Sequence, residues 1–211
     1  KQPLIEIHIF AVVMIQVFHK KITEKNLIYV WKITSLLDKL YSNKSLSTIE
    51  LDQVSDIKSE KRKIEFLATR IALKNLFDDK LELKHHESGR PFIKEAKHIS
   101  ISHSNNYIAI AYGEDNIGID IEKPQDKMLK LMTRILSKME IKQFQQKPTL
   151  ENACKMWSTK ESVIKYIGNK NLNFKDDIII NKDSVKYFDL NFKMYFETIE
   201  EMILTYVIRE A

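Results

Sequence analysis

The stretch that decides the fold runs from Ile99 to Glu122, ISISHSNNYIAIAYGEDNIGIDIE. Ile99-Ser100-Ile101-Ser102 alternates, Tyr107 to Tyr112 is an apolar run, Gly113-Glu114-Asp115-Asn116 is a turn, and Ile117 to Glu122 alternates again. Apolar alternation bounded by turn residues predicts consecutive strands. In the last one Ile119 and Ile121 face one side, so Asp120 and Glu122 project together from the other. Two carboxylates on one strand face attract a cation, and Mg²⁺ takes one or two such groups while keeping positions for water and phosphate. The alternative is a solvated strand face with no ligand.

Upstream, Ile64, Leu67, Ala68, Ile71 and Leu76 follow helical spacing between Ser59 and Phe77, with Lys61, Arg62, Lys63, Arg70 and Lys74 around them. Lys61, Lys63 and Lys74 are expected on a solvated face. A turn, Glu87-Ser88-Gly89-Arg90-Pro91, separates this helix from the strands. Downstream, one helix is expected from Gln125 to Gln146, ending at Pro148, and another from Thr149 to Ile167, closed by Gly168. Phe188, Leu190, Phe192, Met194 and Phe196 then alternate, with Ile203 to Ile208 as a partner strand. This order of helix, strands, helices and strands predicts an α+β protein in two similar-sized halves, 14–112 and 113–211. The apolar stretch Leu4 to Phe18 is interrupted by Glu6, His8 and Gln16 and is too short to span a bilayer. Residues 1–13 are expected to be an upstream extension; alternatively Ile5, Ile7 and Ile9 begin a first strand.

Composition narrows the classes. With 44% hydrophobic residues over 211 positions the chain can bury a core, which excludes disorder. One cysteine, Cys154, excludes an internal disulfide framework or a cysteine-rich zinc site and makes the cytoplasm the default. A net charge of +5 suits an acidic partner, a phosphate-rich ligand or nucleic acid without choosing among them. All four glycines, Gly89, Gly113, Gly118 and Gly168, fall in the central block, so backbone freedom is concentrated where the acids lie.

A second constellation is Cys154-Lys155-Met156-Trp157-Ser158-Thr159-Lys160-Glu161-Ser162-Val163-Ile164-Lys165. Trp157, Glu161 and Lys165 share one helix face at i, i+4 and i+8. Glu161 could complete a metal shell begun by Asp120 and Glu122, while Lys160 and Lys165 hold phosphate oxygens. The alternative is a Glu161–Lys165 surface pair worth roughly 0.3 to 0.5 kcal/mol, with Trp157 in the core. His85 and His86 point opposite ways on a strand and have no third ligand, which argues against a metal site there.

Four ordered blocks, Gly89-Arg90-Pro91, Ile101-Ser102-His103-Ser104, Gly118 to Glu122, and Trp157 to Ser162 with Lys165, resemble the 4′-phosphopantetheinyl transferases, specifically the longer, surfactin-synthetase-activating type. The resemblance covers about 59–168. It implies two pseudo-symmetric halves, each an antiparallel sheet packed by a long helix, with the active site in the cleft between them, in a cytoplasmic monomer. It further implies transfer of the phosphopantetheine arm of coenzyme A to a serine of an acyl or peptidyl carrier protein, with no nucleic-acid or membrane partner. In that setting Asp120, Glu122 and Glu161 would hold Mg²⁺, and Lys160 and Lys165 would brace the pyrophosphate. Glu161 or metal-bound water would be the base. Ser102 and His103 would contact the 3′-phosphate, with Arg62 and Arg70 as further contacts. Arg90 stands where the family often has lysine, and Pro91 could pack the adenine. Cys154 would be no nucleophile. An acidic carrier could dock on Lys127, Lys130 and Arg134, with Met128 or Met132 packing against it. A metal-dependent nuclease and a basic nucleic-acid binding module are the rival readings.

Overall fold

The computed structural model of the chain describes residues 13–78, 81–169 and 172–210. Both readings of the segment before Val13 lie outside the described residues. Val13 itself is buried, and its carbonyl accepts from the Thr34 amide.

The first sheet contains β1 (Met14–Lys21) and β2 (Asn26–Ile33). The short helices α1 (Leu37–Tyr41) and α2 (Thr48–Ser55) lead into the long α3 (Glu60–Leu76). A small ribbon, β3 (Lys84–His85) with β4 (Pro91–Phe92), precedes β5 (His98–Ser104), β6 (Tyr107–Gly113) and β7 (Gly118–Glu122). Then come α4 (Asp126–Ile135), α5 (Lys138–Gln146) and the long α6 (Leu150–Ile167), followed by β8 (Ile178–Ile180), β9 (Ser184–Tyr187), β10 (Leu190–Ile199) and β11 (Met202–Arg209). The fold is α+β, and both main sheets are antiparallel, in the orders β1-β2-β6-β5 and β7-β11-β10-β9-β8.

Strand alternation explains the layering. Trp31, Ile33, Ile108 and Ile110 pack on Leu67, Ala68 and Ile71 of α3. Their neighbours Val30, Tyr107 and Ala109 point the other way and meet Ile119, Ile121, Leu204 and Tyr206 of the second sheet. Val163 and Ile164 of α6 then cover Ile178, Phe192 and Val207 on that sheet's far face. The order of layers is helix, sheet, sheet, helix, and each half is a sheet with its own long helix.

Several expectations are corrected. The helix foreseen from Gln125 to Gln146 is two helices: buried Leu136 is extended, and Ser137 restarts the helix through a capping box with Glu140. Lys74 is not on a solvated face; it is buried and its Nζ lies 2.7 Å from Glu50 Oε2. The C-terminal hairpin forms as expected, with Phe196 opposite Thr205, but Phe188 sits in the preceding turn at φ 48. No helix among the described residues is long and apolar enough to cross a membrane.

β5 and β7 are edge strands of different sheets, and they meet through side chains. Ser100 Oγ accepts from the Ile119 amide at 3.2 Å and Ser102 Oγ from the Ile121 amide at 3.1 Å. This serine seam satisfies the open edge of β7 and sets its carboxylates beside β5.

Candidate active site

Asp120 and Glu122 are held from two elements, β5 and α6. Ser102 Oγ donates to Asp120 Oδ1 at 2.7 Å, and Lys165 Nζ of α6 donates to the same oxygen at 2.7 Å and to Ser102 Oγ at 2.8 Å. Ser104 Oγ donates to Glu122 Oε2 at 2.7 Å, and the Trp157 side chain of α6 stands close enough to Glu122 to favour its charged form. Asp120 is buried and its second oxygen, Oδ2, has no hydrogen-bond partner.

The helix comes this close because small residues line the contact. A Cβ on Gly118 would sit 1.9 Å from the Ser162 carbonyl oxygen, while Ser158 Oγ lies 2.6 Å from Thr205 Oγ1. Trp157, Glu161 and Lys165 are thereby turned toward β7. Burial pushes the Glu161 carboxyl up to about 7, Asp120 repulsion adds to this, and Lys165 opposes it. Glu122 is also raised, by burial first and then by Asp120. The three carboxylates therefore sense one another's charge. Lys165 pairs with Asp120 and not with Glu161, so the simple surface pair is not what forms.

Among the described residues, no three His, Cys, Asp or Glu side chains already stand in the arrangement of a metal site. The donor set nevertheless fits Mg²⁺ in kind: all oxygen, one buried atom without a partner, and a carboxyl whose charge burial and Asp120 disfavour.

A cavity of about 840 Å³ opens beside α3, lined by Arg62, Thr69, Arg70, Lys84, Phe92 and His103 among others. His103 leaves β5 on the face opposite Ser102, and its Nε2 lies 2.9 Å from Thr69 Oγ1. Its ring is open to the cavity but surrounded by protein, and burial, then Lys165, Arg62, Arg70 and Lys61, hold its pKa down to about 4. Arg70 is buried, stacked 4.0 Å over the Phe66 ring, and burial brings its pKa down to about 10. Such a concentration of positive charge around a cavity favours an anion. A smaller cavity of about 160 Å³ is lined by Gly89, Arg90, Pro91, Ser100, Lys165 and Gly168 among others. Arg90 bonds the Asn116 side chain and packs along Gly168, which takes the left-handed φ of 76° that closes α6.

The structure thus brings Asp120, Glu122, Glu161 and Lys165 together, groups Arg62, Arg70 and His103 about one cavity, and puts Arg90 and Pro91 with Lys165 at another. It withdraws two expected ligands. Lys160 cannot brace a phosphate: it is fully buried, its Nζ donates at 2.6 Å to each of the Phe174 and Ile178 carbonyls, and it pairs with Glu140 at 2.9 Å. Ser102 is likewise engaged on all sides by Asp120, Lys165 and the Ile121 amide. Met128 and Met132 are core residues; the exposed apolar side chain next to Lys130 in the chain is Leu129. Cys154 is buried, and burial pushes its thiol up to about 12. Sequence reasoning missed Ser104 and Thr69. The period-two serines at 100, 102 and 104 were the signal for the first; nothing local marked the second.

A family model described as ACPS, 4′-phosphopantetheinyl transferase superfamily, matches residues 116–203. The holo-[acyl-carrier-protein] synthase of Bacillus subtilis (strain 168) is 33% identical over 90 residues, covering 34% of this chain and 74% of that protein. The chain belongs to the 4′-phosphopantetheinyl transferase superfamily. It is also similar to the 4′-phosphopantetheinyl transferase gsp of Aneurinibacillus migulanus, 29% identical over 101 residues, and to the 4′-phosphopantetheinyl transferase Sfp of Bacillus subtilis (strain 168), 37% identical over 87. These alignments cover 46% and 39% of this chain and only 43% and 39% of the two relatives, so the chain spans less than half the length of each.

Proposed function

We propose that the chain transfers the 4′-phosphopantetheine arm of coenzyme A to a serine hydroxyl of an acyl or peptidyl carrier protein, releasing adenosine 3′,5′-bisphosphate. The observation that carries this reading is the convergence of Asp120, Glu122 and Glu161 with Lys165, next to a cavity ringed by Arg62, Arg70 and His103. An acid cluster beside a cationic cavity suits a substrate with a diphosphate in its middle and a phosphate at one end.

In the proposed reaction the serine oxygen bonds to the phosphorus that carries the pantetheine arm, and the bond from that phosphorus to the bridging diphosphate oxygen breaks. Asp120, Glu122 and Glu161 would hold Mg²⁺, which when bound supplies positive charge to the diphosphate. Lys165 adds a fixed ammonium at the same place. Glu161, or a water beside it, would accept the serine proton. Arg62, Arg70 and neutral His103 would take the 3′-phosphate, and Arg90 with Pro91 would border the adenine. No covalent enzyme intermediate is needed, because positioning and electrostatic stabilisation do the chemical work. The site lies in the cleft between halves 14–112 and 113–211, and one chain acts alone, in the cytoplasm.

The experiment is to incubate the protein with apo carrier protein, coenzyme A and Mg²⁺ and to weigh the carrier by mass spectrometry. The carrier is expected to gain the mass of one phosphopantetheinyl group. An unchanged mass across fatty-acid, polyketide and peptide carriers would overturn the reading.

A further inference from the structure

Lys160 is adjacent to Glu161 in sequence yet reaches away from the site. Its ammonium spans α6, the N-terminus of α5, β8 and the segment between α6 and β8. It is bonded to Glu140 and to the carbonyls of Phe174 and Ile178. Glu140 is also fully engaged, accepting from the Ser137 and Ile180 amides at 2.7 and 2.8 Å. The ion pair is wholly buried and completely satisfied, so it admits one arrangement only. From there a path leads to the acids: Lys160 fixes the Phe174 backbone, the Phe174 ring stacks on Trp157 at 5.3 Å and 6°, and the Trp157 side chain stands beside Glu122 and favours its charged form.

We propose that Lys160 is a positioning residue for the acidic site. Paired with Glu140, it orients Glu161 through the helix it anchors and Glu122 through the Phe174–Trp157 stack. This rests on the assignment of Asp120, Glu122 and Glu161 to Mg²⁺ above. The first half contains a matching lock without a matching site: Lys74 of α3 pairs with Glu50, which is also the third residue of a capping box, begun by Ser47. There the residue after the lysine is Asn75. The two locks are of the same make, and only one of them is wired to carboxylates.

The test measures Mg²⁺ affinity by calorimetry, coenzyme A affinity without metal, and kcat against KM, for Lys160→Met, Phe174→Leu and Lys74→Met. Lys160→Met and Phe174→Leu are each expected to weaken Mg²⁺ about tenfold or more, as loss of groups orienting metal ligands does. Both should lower kcat while metal-free coenzyme A affinity stays within about twofold, too little to mark the loss of a charged hydrogen bond. Lys74→Met should lose melting temperature but keep Mg²⁺ affinity. Three results would overturn the proposal: weakened coenzyme A binding with Mg²⁺ affinity intact, which would make Lys160 a direct phosphate ligand; equal Mg²⁺ loss in Lys74→Met, which would mean general softening; or a wild-type chain that binds no Mg²⁺. If Lys160→Met does not fold, Phe174→Leu decides, because it leaves the ion pair in place. A failure of phosphopantetheine transfer would be read in the carrier mass and would leave the metal titrations interpretable.

Discussion

At Glu161 a carboxyl titrates near 7 because burial and Asp120 both resist its charge. The unfolded carboxyl has a value of 4.5, so the folded chain binds the extra proton between 4.5 and 7, and stability is lost as pH rises through that range. Glu161→Gln is expected to stabilise the metal-free protein at pH 8 by on the order of 2–3 kcal/mol and to change little at pH 4.5. Mg²⁺ should raise the melting temperature of the wild type at pH 8 more than that of the variant. Calorimetric scans at the two pH values check this, and equal melting temperatures at pH 8 would refute it. Arg70 makes a second prediction. Arg70→Met should raise KM for coenzyme A about tenfold or more while leaving 3′-dephospho-coenzyme A nearly unaffected, the size expected for one buried charged hydrogen bond. Steady-state kinetics with both substrates separate a 3′-phosphate contact from a general defect. Lys160 and Lys165 illustrate what could be read in advance. Both are lysines on one helix, and local sequence cannot say that the partner of Lys160 is Glu140, twenty residues earlier, or that the partner of Lys165 is Asp120.

Among the elements, α6 and β7 were legible because their patterns are periodic: Gly118 to Glu122 alternates, and Trp157, Glu161 and Lys165 recur every four residues. The break between α4 and α5 was less so, since Leu136 is apolar and fits a continuous helix. The signal was Ser137 followed three residues later by Glu140. The seam between α6 and β7 is the least forgiving contact. Gly118→Ala would place a methyl 1.9 Å from the Ser162 carbonyl oxygen, so helix and strand must separate. A stability loss of about 1–3 kcal/mol is expected, together with a larger fractional loss of Mg²⁺ affinity than of melting temperature, because Glu161 moves with the helix. Urea denaturation and calorimetry on the same variant check both.

At the scale of the molecule, two antiparallel sheets meet at β5 and β7, and serines of the first half hold acids on the first strand of the second. The α+β class was readable from element order; the side-chain stitching of the two edges was not, because serines on a strand are ordinarily read as solvated. Lys127, Leu129 and Lys130 are exposed on α4, and Lys138, Met139 and Lys142 on α5, residue types that suit an acidic carrier. Lys127→Glu with Lys130→Glu should raise KM for the carrier about tenfold, most at low salt, and leave KM for coenzyme A unchanged. Kinetics at two ionic strengths decide whether the partner docks there. The most direct measurement for the whole account is anomalous diffraction from crystals grown with Mn²⁺ and coenzyme A. The account predicts one metal peak bonded to Asp120 and Glu161, with Glu122 in its shell. A peak elsewhere, or full diphosphate occupancy with no metal beside these carboxylates, would contradict it.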